Sequence, residues 1–246
     1  MTTRNLYGGA LPAEELSVAT AIQLTVAAAV QFGLLVSLSV TVGLHPAGWL
    51  VGVAFGIGTW LLLVFGMRGA RSLGAANIVT LARTILIGGV TALVTDSINH
   101  HVPMVVVIAI ASVALSLDAV DGYVARSTGT TTRLGARFDM EADAFLILVL
   151  SGYVALTLGP WVLGIGLMRY AFVAAGWVLP WLRVALPPTF PRKAVAAIQG
   201  IALAVVGIGF LPTPIGVLVV AIALALLVWS FGRDIFWLWQ RRTVRS

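Results

Sequence analysis

The 246-residue sequence contains nine acidic residues, and five of them, Asp118, Asp121, Asp139, Glu141 and Asp143, crowd into one short stretch. Asp118 and Asp121 are spaced i,i+3, and Asp139 and Asp143 i,i+4, so on helices each pair shares one face. At 100° per residue, Gly122 and Ala125 fall within about 40° of Asp118, and Gly135, Asp139 and Asp143 form a single i,i+4,i+8 stripe. Two adjacent helices of this kind would bring four carboxylates to one point with space beside them. Such groups repel one another unless cations lie between them, and hard oxygen donors with room left over suit Mg²⁺ or Mn²⁺ in a two-metal site. Glu141 lies about 160° from the line joining Asp139 and Asp143, which makes it a solvated or subunit-contact residue, not a ligand. The competing reading is an interfacial loop whose acids pair with Arg126, Arg133 and Arg137; the spacing on two faces, with small neighbours, argues against it.

The elements that must carry these acids are of a membrane kind. Apolar residues make up 60% of the chain, 26 residues are glycine, and positions 16 to 67 contain no Asp, Glu, Lys or Arg. That gap is long enough for two bilayer-spanning helices of about 20 residues. Apolar blocks bounded by polar residues, Gly or Pro predict eight helices, near 18–43, 47–67, 77–95, 103–122, 138–158, 161–182, 194–210 and 213–232. The expected fold is therefore an all-α polytopic membrane protein. Strands of a barrel would alternate apolar and polar residues, which these blocks do not, and the first block is too long for a cleavable signal segment. The chain has no cysteine, which excludes disulfide scaffolds, Cys-ligated zinc and thiol catalysis.

Arg4, Arg68, Arg71, Arg126, Arg133, Arg137, Arg183, Arg192, Lys193, Arg233, Arg241, Arg242 and Arg245 all fall in connections on one side. The opposite connections, around His45, Asp96 to His101, Gly159 with Pro160, and Leu211 to Pro214, carry no Lys or Arg. The positive-inside rule then predicts a multi-pass cell-membrane protein with both termini and the acidic motif in the cytoplasm. The net charge of +6 is mostly this orientation signal, and without a basic face carrying base-reading or stacking groups no nucleic-acid partner is expected. Trp229, Trp237 and Trp239 read as an interfacial belt. His45, His100 and His101, on the outer side, read as solvated loop residues, because neighbours at i,i+1 do not face one another. Arg169 differs from the other basic residues: it lies inside an apolar block, where a midplane charge costs at least ~2.5–3.5 kcal/mol, so a functional role is expected.

The run Asp118-Ala-Val-Asp121-Gly122-Tyr-Val-Ala125-Arg126, followed at fixed spacing by Gly135, Asp139 and Asp143, resembles the signature of the CDP-alcohol phosphotransferase family at all eight fixed positions. The resemblance implies a six-helix catalytic core over residues 72–235, leaving 1–71 as an N-terminal extension with two further transmembrane helices and 236–246 as a basic cytoplasmic tail. It implies that Asp118, Asp121 and Asp139 hold two divalent cations, Mg²⁺ or Mn²⁺, and that Asp143 is the general base and also contacts a metal. Gly122, Ala125 and Arg126 would lie against the CDP moiety, with Thr132 from the intervening loop. Asn77, Thr80 and Arg83 resemble a second, weaker family pattern on one helical face, with Ala76 where the family usually has proline. Asn77 and Thr80 are then expected to contact the lipid nucleotide.

In relatives that take phosphorylated alcohols, basic residues of the two following helices bind the acceptor's phosphate, a role that would fall to Arg169, Arg192 and Lys193. The implied reaction is Mg-dependent transfer of a phosphatidyl group from CDP-diacylglycerol to a small, phosphorylated alcohol, with release of CMP, in a homodimer embedded in the lipid bilayer. Arg83 and the spacing of Lys193 to Gln199 lean toward glycerol phosphate, as in a phosphatidylglycerophosphate synthase. Phosphatidylinositol-phosphate, cardiolipin and phosphatidylserine synthesis would use the same core. Two readings lie outside the family. An intramembrane prenyltransferase would not need the Gly122, Ala125, Arg126 and Gly135 pattern. An ion-coupled transporter usually has broken helices in a repeated architecture, and no internal repeat is evident here. The first two helices, outside the core, are expected to serve packing.

Overall fold

Backbone amides inside a bilayer find no water, so long apolar blocks satisfy them within helices. The computed structural model describes residues 18–66, 75–128, 133–184 and 190–243, with the side chains of 19–20, 65–66, 75–77, 118–128, 133–137, 190–191, 193 and 242–243 outside that description. Among the described residues the elements are α1 (Val18–Val42), α2 (Pro46–Gly66), α3 (Ala75–Asp96), α4 (Met104–Thr128), α5 (Arg133–Leu158), α6 (Leu163–Val178), α7 (Phe190–Gly207) and α8 (Thr213–Thr243), with no strand. The fold is an all-α polytopic membrane architecture. Six of these helices carry apolar spans long enough to cross a bilayer, while α4 and α7 carry the shorter apolar stretches Met104–Leu117 and Ala194–Gly207. In both, chemistry-bearing polar residues sit at the end of the stretch: Asp118 follows it in α4, and Arg192 and Lys193 precede it in α7.

The sixth expected helix is divided. Pro160–Val162 and Pro180–Arg183 form short 3₁₀ turns on either side of α6, and Leu179, just before Pro180, leaves the helical region with φ −116° and ψ 88°. Proline lacks the amide hydrogen and disfavours α conformation in the residue before it. Arg183 Nε then donates to the Gly176 carbonyl at 2.7 Å, closing the last turn of α6. By contrast α8 continues well beyond the expected boundary at 232. Arg233 sits over Trp229 and Arg241 over Trp237, the second at 3.9 Å from the ring centroid, and these i,i+4 pairs favour helix where the sequence turns polar.

Helix α3 is the centre, packed against α1, α2, α4 and α5. Its Ile87, Val90 and Leu93 join Leu35 and Leu38 of α1 and Leu146 and Leu150 of α5 in one core. Close approach depends on small residues, as expected where lipid gives helices little hydrophobic reason to associate. A Cβ on Gly48 of α2 would fall 2.9 Å from the Ala92 carbonyl oxygen, and one on Gly88 of α3 would fall 2.5 Å from Gln31 Nε2. The N-terminal pair α1 and α2 is thus packed directly on the central helix.

At the end of the bundle remote from Asp139 and Asp143, α1 and α5 close with glycines in the left-handed region. Gly43 has φ +79° and Gly159 φ +99°, and their amides donate to Ser39 and Ala155 carbonyls. Two of the three histidines at this end are exposed loop residues as expected, but they are not independent of the rest of the fold. Asp96, the last residue of α3, is buried and lies 3.0 Å from His45 Nδ1 and 3.3 Å from His100 Nδ1. The spacing argument concerned His100 and His101; the residue that meets His100 comes instead from the α1–α2 connection, which no single-helix periodicity reveals.

Two glycine substitutions separate packing from helix propensity. At Gly166 of α6 a Cβ would fall 2.5 Å from the Leu148 Cα of α5, whereas at Gly152 of α5 nothing lies within 4 Å. Gly152→Ala should therefore stabilise by about 0.5–1 kcal/mol, the helix-propensity gain alone. Gly166→Ala should destabilise, because overpacking against backbone costs about 1–3 kcal/mol and exceeds that gain. Thermal unfolding in detergent measures both, and midpoints moving in the same direction would contradict the packing described.

Candidate active site

The site is built around a cation on α3. Arg83 is completely buried, in a helix whose surroundings are mostly aliphatic, and a charge there is tolerated only when paired. Its Nη1 lies 2.6 Å from Asp139 Oδ1 and its Nη2 lies 2.7 Å from Asp143 Oδ1. Nη2 also donates to the Asp139 main-chain carbonyl at 3.1 Å. The i,i+4 spacing on α5 thus does what helical geometry requires, presenting two carboxylates one turn apart to a single guanidinium. Thr80, one turn earlier on α3, is buried, and its carbonyl accepts the Thr84 hydroxyl at 2.7 Å.

Arg83, Asp139 and Asp143 together carry one positive and two negative formal charges. The side chains of Asp139 and Asp143 remain 35% and 41% exposed. A net negative set of hard oxygens, reachable from one end of the bundle, fits a divalent cation of the Mg²⁺ or Mn²⁺ class. Asp118 and Asp121 belong to α4, which packs against α3. Their side chains, and those of Asn77, Gly122, Ala125, Arg126 and Lys193, lie outside the described residues, as does Thr132.

The expected acceptor residues sit in other pairs. Arg169 of α6 donates to Glu141 of α5 at 2.5 Å. Glu141 is 56% exposed, so it is partly solvated as expected, but its charge is engaged within the chain: the cation in the apolar block and the acid off the Asp139–Asp143 stripe satisfy each other. Arg192 of α7 pairs with Asp234 of α8, Nη2 donating to Oδ1 at 2.9 Å while Nε lies 2.7 Å from Oδ2. Two to three turns further along the same two helices, buried Gln199 donates to the Ala223 carbonyl at 3.0 Å. Asp234 had not been singled out in the sequence. Its signal was available, since it is the one acidic residue in the last helix and stands in a run of basic and aromatic residues.

The CDP-alcohol phosphatidyltransferase family model matches residues 73–229, well over half of the chain. No curated protein and no solved structure matches it. The matched segment begins just before α3 and runs into α8, so it contains Arg83, Asp139, Asp143, Arg169 and Arg192 and omits α1 and α2.

Arg83→Met keeps length and removes charge, leaving Asp139 and Asp143 facing each other. The expected loss is about 2–3 kcal/mol of stability, less than the 3–5 kcal/mol typical of a fully buried broken pair because both acids keep access to water. Unfolding measured in detergent without divalent ions checks this; an unchanged midpoint would show that the bridge does not hold α3 to α5.

Proposed function

The chain belongs to the CDP-alcohol phosphatidyltransferase family, whose members transfer phosphatidyl groups, and from that premise we propose that it moves the phosphatidyl group of CDP-diacylglycerol to a small phosphorylated alcohol. The observation that carries the reading is the pair of carboxylates, Asp139 and Asp143, fixed one turn apart by Arg83. Asp118, Asp121 and Asp139, with Asp143 also in contact, would hold two divalent ions, which when bound would supply neutralisation of the diphosphate. Asp143 takes the proton of the acceptor hydroxyl as that oxygen bonds to the phosphorus next to the diacylglycerol. The phosphoanhydride P–O bond breaks, its electron pair leaves on CMP, and a phosphodiester remains. Arg83 fixes the carboxylate of Asp143 in place, and by holding Asp139 through both side chain and main chain it keeps base and metal ligand at constant spacing. Asn77, Thr80, Gly122, Ala125, Arg126 and Thr132 contact the nucleotide.

Arg169, Arg192 and Lys193 bind the acceptor's phosphate, with glycerol 3-phosphate preferred over inositol phosphate. A guanidinium has five donors, so Arg169 can keep Glu141 and still present hydrogens to a phosphate. The same ion pair favours a second reading. Glu141 already meets Arg169's need for a partner in the membrane, which leaves an unphosphorylated acceptor such as serine as the alternative. On this reading the site and both termini face the cytoplasm from the cell membrane, an orientation supported by the distribution of basic residues. The homodimer rests on family resemblance alone.

Two measurements test this. Asp143→Asn should lower CMP release by about 10²–10⁴-fold while CDP-diacylglycerol still binds in the presence of Mg²⁺; near-normal turnover would refute the general-base role. Arg169→Lys keeps the charge and loses the planar fork, so it should raise the apparent KM for the acceptor far more than that for CDP-diacylglycerol. Turnover of serine, with glycerol and inositol phosphates ignored, would decide for the second reading.

A further inference from the structure

At the end of the bundle remote from the acidic motif, His45 and His100 converge from two different connections on Asp96, the last residue of α3. One ligand atom from each lies within 4.8 Å of the other two. His45 Nδ1 is 3.0 Å from Asp96 Oδ2 and His100 Nδ1 is 3.3 Å from Asp96 Oδ1, while the His45 amide also donates to Oδ2 at 3.4 Å. The two imidazole rings are parallel to within 4° and stacked at 3.5 Å between centroids. Asp96 is only 2% exposed, whereas His45 and His100 are 46% and 38% exposed. The carboxylate is therefore a fixed base beneath two rings that open outward.

We propose that His45, Asp96 and His100 form a binding site for a borderline transition-metal ion of the Zn²⁺ class, joining the α1–α2 connection to the end of α3. Two imidazole nitrogens and one carboxylate form a common protein ligand set for zinc, and nitrogen donors select against Mg²⁺. With bonds of about 2.0–2.1 Å, neighbouring ligand atoms of a tetrahedral zinc ion stand about 3.3 Å apart. His45 Nδ1 lies 3.0 Å from one oxygen of Asp96 and His100 Nδ1 3.3 Å from the other, and because both rings are partly exposed they are free to turn out of their parallel stack so that each in-plane Nδ1 lone pair meets the same ion. A divalent ion would take the Nδ1 lone pair of each neutral ring, whose single proton then sits on Nε2, and its charge would meet that of Asp96. The exposed rings leave an entry path and an outward fourth position for water. Bound metal would hold the N-terminal helix pair to the core, independently of phosphatidyl transfer.

The test uses the full-length protein without a histidine tag, stripped with chelator in detergent and titrated with Zn²⁺ in excess Mg²⁺, which occupies carboxylate-only sites. One Zn²⁺ per chain is expected, with affinity lowered by more than about 100-fold in His45→Gln and in His100→Gln, since loss of even an outer partner of a ligand costs 10–100-fold. Zn²⁺ should raise the thermal midpoint of the wild-type chain and leave that of either variant unchanged. Because both histidines are partly exposed, the variants should fold, as their metal-free midpoints will show. Should either fail to fold, Co²⁺ on the wild-type chain decides by X-ray absorption: two imidazole ligands support the site, and oxygen-only coordination overturns it. Equal Zn²⁺ binding by wild type and folded variants, or none by wild type, would leave a metal-free hydrogen-bonded clasp and overturn the proposal.

Discussion

A guanidinium with no exposed surface, placed on the central helix of a bundle made for hydrocarbon, sets the terms for the rest of the molecule. Arg83 must be met by anions at its own depth, and α5 supplies two of them on one face, through Asp139 and Asp143. That requirement fixes the azimuth of α5 about its axis and its height against α3. The two acids are consequently set by an interaction inside the fold and not by whatever they bind.

The same economy of charge recurs at the other buried or half-buried cations. Arg169 joins α6 to α5 through Glu141, and Arg192 joins α7 to α8 through Asp234. Between these polar ties the helices meet through glycine. Where Gly48, Gly52 and Gly88 bring α1, α2 and α3 together, an added Cβ would collide with a neighbour. Such contacts have steep distance dependence and little tolerance for a shift, which is how helices stay in register without a hydrophobic driving force between them. Packing of this kind sets α1 and α2 directly against α3, although they stand outside the matched family segment.

Much of this was legible in the sequence, and what was not has a common cause. Helices α1, α2, α3 and α5 were readable from apolar runs, and the shared face of Asp139 and Asp143 from helical period, because both are local properties of the chain. The division around α6 was also signalled, by Pro160 and Pro180, but hydropathy overrode the prolines. Pairings between distant segments were not readable. Nothing near Arg83 in the sequence indicates Asp143, nothing near Arg169 indicates Glu141, and the two stacked histidines are separated by the whole of α2 and α3. Periodicity assigns a residue to a face, and only packing decides which face lies opposite.

The link after α5 has a mechanical implication. Gly159 is the only residue between the last turn of α5 and the 3₁₀ turn that opens into α6, and its positive φ makes that corner tight. Further along, Glu141 and Arg169 pin the same two helices together a second time. A rod fastened to its neighbour at two points can neither slide nor swivel against it. Asp143 lies two residues from one of those pins, so any group that docks on Arg169 is gauged against Asp143 to a fixed offset. The α5–α6 hairpin therefore behaves as a ruler, and the length of molecule it measures is set at a corner remote from the chemistry.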